Sequence, residues 1–305
     1  GIIFLQIRDG SGVIQGVMKE DEVADSTFEA AGQLTQESSI IVKGEVKEDK
    51  RAPSGYELEV FDLEVFQKAE EDYPISLKEH GVGFLMDNRH LWMRSKGSMP
   101  VLKIRDIVLK GMRKFFSSRG FAATESPILT GTSVEGTTTL FNTDYFGDQA
   151  YLTQSGQLYL EATAAALGEV YWIGPVFRAE KSKTRKHLTE FWMCEGEMSW
   201  YEHEDNLKFQ EDLVNYVVSY ALEEGNKELE TLNVDVNSLK KQIEKPFPRV
   251  TYEEAVQIVN DHGVEMEYGD DFGAPAEEAL GEHFKKPLFI EAFPKELKPF
   301  YMEPM

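Results

Sequence analysis

Residues 177–198 read FRAEKSKTRKHLTEFWMCEGEM, and the fold turns on this stretch. A strand-like run from Val170 to Glu180 leads into a loop carrying Lys181, Lys183, Arg185 and Lys186, and a second run, Leu188 to Trp200, follows. The pattern predicts two adjacent antiparallel strands joined by a basic loop. Side chains alternate faces along a strand, so Arg178 and Glu180 are expected on one side. Such a pair can grip phosphate oxygens with a guanidinium and an exocyclic amine with a carboxylate, while an aromatic ring stacks on the base. Taken alone, an Arg-x-Glu pair on a strand is more often a surface salt bridge. The basic loop and the spacing from His187 to Phe191 favour the nucleotide reading.

Outward from this stretch, Ile104, Ile107, Val108, Met112, Phe115 and Phe116 fall on one helical face and Gly120 offers a stop, which predicts a long amphipathic helix from Val101. Phe121 to Leu129 reads as a strand containing Pro127, Tyr151 to Gln154 as a short strand, and Gln157 to Leu167 as a helix. Residues 205–222 show helical periodicity, 226–287 read as smaller helices, and 288–305 as a strand entering a turn. Before all of these, Ile2 to Ile7, Val13 to Val17, Ile40 to Val46 and Tyr56 to Val65 are short strand-like runs separated by turn residues, the pattern of a small barrel. The expected class is α+β, with a barrel domain over 1–70, a hinge over 71–98 and a larger domain over 99–305.

The chain has 305 residues, enough for two domains, since single cores stop growing at about 250 to 300 residues. Its net charge of −22 argues against general affinity for nucleic acid, because neutralising phosphates needs Lys and Arg. Local contacts remain open through the basic loop. The single Cys194 excludes an internal disulfide and suits a reducing, cytoplasmic setting. No run of about 18 apolar residues exists, so no membrane partner is expected. The six His show no metal-ligand spacing, and no Ser-His-Asp or Cys-His arrangement for a protein nucleophile is visible.

The stretch FRAEKSKTRKHLTEFWMCEGEM resembles motif 2 of the class II aminoacyl-tRNA synthetases, specifically of their aspartate and asparagine subgroup. The resemblance implies an antiparallel catalytic sheet flanked by helices, binding ATP with Mg2+. Arg178, the catalytic residue, would hold the α-phosphate and the amino acid's carboxylate, and Glu180 the adenine amino group. Arg185 and His187 would lie near the outer phosphates, with Phe191 under the adenine. Pro127, in RGFAATESPIL, matches motif 1, whose helix and strand build a homodimer interface; by itself it means only an edge or a turn. Residues 1–66, with IFLQIRDGSGVIQ, resemble the subgroup's OB-fold anticodon-binding domain. There Phe4 would stack on an anticodon base and Gln15 would read a base edge. Without the resemblance Phe4 reads as a core residue, and Arg8 and Asp9 read as a structural turn pair in either case.

The resemblance also bears on the amino acid. Aspartate members of the subgroup carry a Lys, pairing with the substrate carboxylate, where TQSGQLYLEA (153–162) has Leu160, followed by Glu161. A Glu can accept from a carboxamide NH2, so asparagine and its tRNA are the expected substrates with ATP, joined through an asparaginyl-adenylate. A site built on such a bond rejects an analogue lacking the donor by roughly 10⁴ to 10⁵. Glu135, in GTSVEGTTTLF, and Gln157 would face the substrate ammonium, with Glu195 nearby. GDDFGAP (269–275), with Ala276 where an acidic residue often stands, and FPKELKPFYM (293–302) would wall the pocket. The third motif and its magnesium-holding acids do not occur, so the sequence reads as cut short at both ends, with no metal ligands within it, and is expected to be inactive as written. Competing readings are an aspartate-charging member, possibly non-discriminating, an ammonia-dependent asparagine synthetase, which would lack the barrel, and a non-catalytic tRNA-binding relative.

Overall fold

Ile3, Leu5 and Ile7 alternate with Ile2, Phe4 and Gln6, and this period of two makes Ile2–Arg8 a strand (β1) with one face on the core. It pairs antiparallel with β2 (Val13–Lys19), Arg8 opposite Val13. The connecting turn is closed by Asp9, whose Oδ1 accepts from the Ser11 N–H at 2.8 Å and the Gly12 N–H at 3.2 Å. A short helix, α1 (Asp25–Gly32), absent from the sequence reading, precedes β3 (Ser39–Glu48) and β4 (Tyr56–Gln67). The sheet order is β1-β2-β4-β3. Its core is Met18, Ala31, Val60 and Leu63. The β3–β4 register shifts at Gly44, where a Cβ would lie 2.5 Å from the Glu59 carbonyl, so only glycine fits the bulge.

The structure is a computed structural model and describes every residue except 71–72, 77, 134–139, 182–186, 300 and 305. It divides into two units, Gly1–Ser95 and Lys96–Met305. The stretch expected as a hinge contains two short helices, α2 (Val82–Asp87) and α3 (Arg89–Trp92). Arg8 donates to the Arg94 carbonyl at 2.6 Å and to Glu37 at 2.6 Å, which ties the segment after α3 to the first hairpin. Arg8 and Asp9 thus serve the local structure, as expected.

The second unit opens with α4 (Ser98–Ser118), whose Phe115 and Phe116 are fully buried against Phe121, Tyr171, Ile173 and Phe209. Each such burial stabilises by roughly 1.5–3 kcal/mol. Gly120, at φ +87°, ends the helix in the left-handed region. The single strand expected over Phe121 to Leu129 is two short ones, β5 (Ala122–Ala123) and β6 (Leu129–Thr130). Pro127 falls between them, where its missing N–H breaks no ladder. Next come β7 (Asn142–Tyr145), β8 (Asp148–Leu152), α5 (Gln157–Leu167), β9 (Glu169–Phe177) and β10 (Glu190–Met198). One sheet has the order β10-β9-β5 and another β6-β8-β7. The helix α6 (His203–Glu224) follows, crossing α4 where Gly111 admits the Tyr220 ring.

The remaining helices are α7 (Asn226–Thr231), α8 (Val236–Gln242), α9 (Tyr252–Asp261) and α10 (Ala274–Phe284). They accompany a parallel pair, β11 (Arg249–Thr251) and β12 (Phe289–Glu291). Tyr252, Ala255, Val259 and Leu280 form their core. Among the described residues no helix is long and apolar enough to cross a membrane.

Candidate active site

β9 and β10 pair antiparallel without a break, from Glu190 opposite Phe177 to Met198 opposite Glu169. Tyr171 and Ile173 face α4 and α6, whereas Val170, Trp172 and Val176 face Leu160 and Ala164 of α5. By the same alternation Phe191, Met193, Glu195 and Glu197 share the α5 side of β10.

The strand ends at Phe177, three residues short of Glu180, which corrects the expectation that alternation aligns Arg178 with Glu180. One more interstrand bond forms, Arg178 N–H to the Thr189 carbonyl at 3.0 Å. The chain then turns, with the Glu180 N–H donating to the Arg178 carbonyl at 2.8 Å. Arg178 is nevertheless brought to Phe191: its guanidinium carbon lies 5.7 Å from the ring centroid, within cation–π range. Glu180 is half-buried and makes no side-chain contact with either of them that the structure shows. His187 is exposed, and Arg185 lies outside the described residues.

Three stretches distant in sequence converge beside Arg178. The Phe177 N–H donates to the Thr153 carbonyl and the Thr153 N–H to the Ile128 carbonyl, both at 2.8 Å. Just beyond, Glu195 accepts from the Ser155 hydroxyl on one oxygen and from the Gly156 N–H on the other, the latter at 2.8 Å. Gly156 is required there. A Cβ would lie 2.7 Å from the Trp172 ring, 3.1 Å from Glu195 Oε2 and 3.1 Å from the Ser126 Cβ.

On α5, the Gln157 side chain donates to Glu161 Oε1 at 2.9 Å. Leu160, 1% exposed, belongs to the core with Val170, Trp172 and Val176. Position 160 therefore faces an apolar cluster and not an open pocket. A cation there would carry a large desolvation cost. Glu135 lies outside the described residues. Pro127 is exposed and followed by Ile128 and Leu129, each 44% exposed. The aromatic residues of the two later stretches, Phe272 and Phe293, pack on Tyr252, and Ala276 is buried in the same core, where an acidic side chain has no room.

Sequence reasoning passed over Ser155, Gly156, Ser126 and Glu197. Burial, with Glu161 and Glu195 adding to it, pushes the Glu197 carboxyl up to about 7, and burial pushes the Cys194 thiol up to about 11. The alternating Glu-Gly-Glu of 195–197 already placed two carboxyls on one strand face. His203, Glu204 and Glu291 also meet, but Arg249 donates to both Glu204 and Glu291 at 2.7 Å. A guanidinium occupies that position, so the group does not fit Mg2+.

On the first unit Phe4 is 65% exposed, so it is not the core residue that the pattern alone suggested. Gln6 lies opposite Gln15, and opposed residues of an antiparallel pair share a face. Phe4, two residues from Gln6, therefore stands on the same face as Gln15.

Residues 82–305 match the model of the class II tRNA synthetases for D, K and N, and 1–66 match the OB-fold nucleic acid binding domain. The chain belongs to the class II aminoacyl-tRNA synthetases, in the group specific for aspartate, lysine and asparagine. Within that group the similarity is to asparagine-tRNA ligases. That of Pelotomaculum thermopropionicum is 52% identical over 303 residues, covering 99% of this chain and 70% of the relative. That of Symbiobacterium thermophilum is 53% identical over 310 residues with the same coverage. The crystal structure of asparaginyl-tRNA synthetase from Pyrococcus horikoshii complexed with asparaginyl-adenylate superposes with a TM-score of 0.92 at 43% identity, covering 99% of this chain and 70% of that one.

Proposed function

We propose that the protein ligates asparagine to its tRNA in two steps, with the junction of β9, β10 and α5 as the activating site. The carrying observation is the convergence of Arg178 on Phe191 beside the Glu195 clamp. In the first step an asparagine carboxylate oxygen attacks the α-phosphorus of ATP. A P–O bond forms, the bond to the bridging oxygen breaks, and pyrophosphate leaves. Arg178 offers a planar fork to the developing charge, while adenine stacks on Phe191, whose ring centroid lies 5.7 Å from the guanidinium carbon. Glu180 takes the adenine amino group, and Arg185 and His187 attend the outer phosphates. Glu195, Gln157, Glu161 and Glu135 surround the amino acid. In the second step a hydroxyl of the tRNA's terminal adenosine attacks the acyl carbonyl and AMP leaves.

Mg2+ would neutralise the outer phosphates when bound; no ligand set for it occurs among the described residues. Phe4 and Gln15 meet the anticodon of the asparagine tRNA. The exposed Pro127, Ile128 and Leu129 form part of a homodimer contact, and Cys194 as the only thiol fits a reducing cytoplasm. ATP–pyrophosphate exchange with the chain extended to the length of its relatives tests the reading: asparagine should support exchange and aspartate should not. Equal or better exchange with aspartate defeats it.

A further inference from the structure

A β-bulge decides what β4 presents to solvent. Gly44 pairs with Val60 and Lys43 with Asp62, so Phe61 is the extra residue and has no partner on β3. Val60 and Leu63, on either side of the bulge, enter the core, whereas Phe61 belongs neither to the core nor to the apolar residues packed around it. Gly44, opposite Val60, has no side chain with which to cover the ring. Phe61 is accordingly 56% exposed, an aromatic ring that core packing does not account for.

The ring stands on the sheet face that carries Phe4. Phe4 lies opposite Val17 and Val17 beside Glu59, and residues paired across strands share a face. Phe61 follows Glu59 by two residues and therefore points the same way. Two strand spacings of about 4.8 Å and two residues of about 3.3 Å set the rings roughly 12 Å apart, too far for one base to cover both. The carboxylate between them is not free to repel an anion. Glu59 is ion-paired with Lys19 at 3.0 Å and with Lys47 on its other oxygen.

We propose that Phe61 is a second stacking position on the RNA-binding face, taking an unpaired loop base other than the one on Phe4. The proposal rests on the reading of Phe4 and Gln15 as the anticodon contact and extends that contact along β4. Every base has a π-face, so a stack on Phe61 adds affinity without selecting base identity. The bulge is what makes the position available: it holds the ring out from the sheet with nothing across from it on β3.

The test is binding of an RNA hairpin carrying the asparagine anticodon to the full chain, followed by fluorescence anisotropy. Phe61→Ala should weaken binding about 5- to 150-fold, the range for one lost base stack. Its Tm should stay within about 2 °C of wild type, because the ring lies outside the core. Phe61→Leu, apolar but without a π-face, should lose at least about fivefold, whereas Phe61→Tyr should remain within about threefold. The losses of Phe4→Ala and Phe61→Ala should multiply in the double variant, since the two rings hold different bases. A double variant no weaker than either single one places both rings on one base and overturns the proposal. Binding by Phe61→Ala within about twofold of wild type, with Phe4→Ala weakened, overturns it while leaving the anticodon reading intact. Should Phe61→Ala not fold, the same result with Phe61→Leu overturns it instead. A wild type that does not bind the hairpin removes the anticodon reading and the proposal with it.

Discussion

Gly156 donates its backbone N–H to Glu195 Oε2 at 2.8 Å, which fixes the first turn of α5 to the middle of β10. The bond is charge-assisted and shielded by Trp172, so it is worth more than an exposed ion pair. It also orients the Glu195 carboxylate, whose other oxygen accepts from the Ser155 hydroxyl. Helix and site are in this sense one construction: the carboxylate that anchors α5 is the one proposed to face the amino acid.

Gly156→Ala tests that construction through stability. The new methyl would meet the Trp172 ring at 2.7 Å, and Trp172 is 3% exposed, with no room to withdraw. Overpacking of this kind costs roughly 1–3 kcal/mol, and each kcal/mol lowers Tm by about 2–4 °C in a domain of this size. Calorimetric melting should show that loss. An unchanged Tm means the turn can shift and Gly156 is not obligatory.

Arg178→Lys separates charge from geometry. An ammonium keeps the charge but not the two-pronged fork that matches phosphate. In the chain extended to the length of its relatives, asparagine-dependent exchange should fall about 10²-fold, in the range seen when one donor to developing charge is lost. Tm should change by no more than about 2 °C, because Arg178 lies outside the buried cores. Exchange within a factor of about three of wild type would falsify the assignment of Arg178 to the α-phosphate.

How much of this was legible beforehand depended on whether a feature is local. The helix over Gln157–Leu167 was readable to its last residue, since the run ends at Gly168, which adopts φ +85°. The helix Asp25–Gly32 was not, because only Phe28, Ala30 and Ala31 supply apolar surface, too few to reveal a period. The strand running on to Glu180 was an overreach: the chain turns at a backbone bond between Glu180 and Arg178 that no side-chain pattern announces. The Glu195 clamp joins residues 39 positions apart. Burial of Leu160 likewise depended on which face of α5 meets β9, a tertiary choice that the motif wording did not contain.

Glu197 also makes stability depend on pH, with a definite sign. Its carboxyl titrates near 7 in the fold and near 4.5 unfolded, so between these values the folded state binds more protons. Stability is then fully present below about pH 4.5 and declines as pH rises through 7, opposite to the usual carboxylate. Because the group is only half-buried, solvent screening makes the effect small. Urea midpoints at about pH 5 and pH 8 should fall more for wild type than for Glu197→Gln, which has no proton to lose. Equal decrements in the two proteins exclude a raised Glu197.

Phe4→Ala bears on the N-terminal unit alone. Phe4 is 65% exposed and adds little to the core, so its loss should alter stability by no more than about 0.5 kcal/mol. A base stacked on that ring contributes about 1–3 kcal/mol, so an RNA hairpin carrying the asparagine anticodon should bind about 5- to 150-fold more weakly. Exchange by the extended chain without RNA draws on the catalytic unit and should not change. Unaltered hairpin affinity removes Phe4 from the anticodon contact. A loss that appears equally with an unrelated hairpin shows a sequence-blind stacking platform, leaving base reading to Gln15 and its neighbours on the same sheet face.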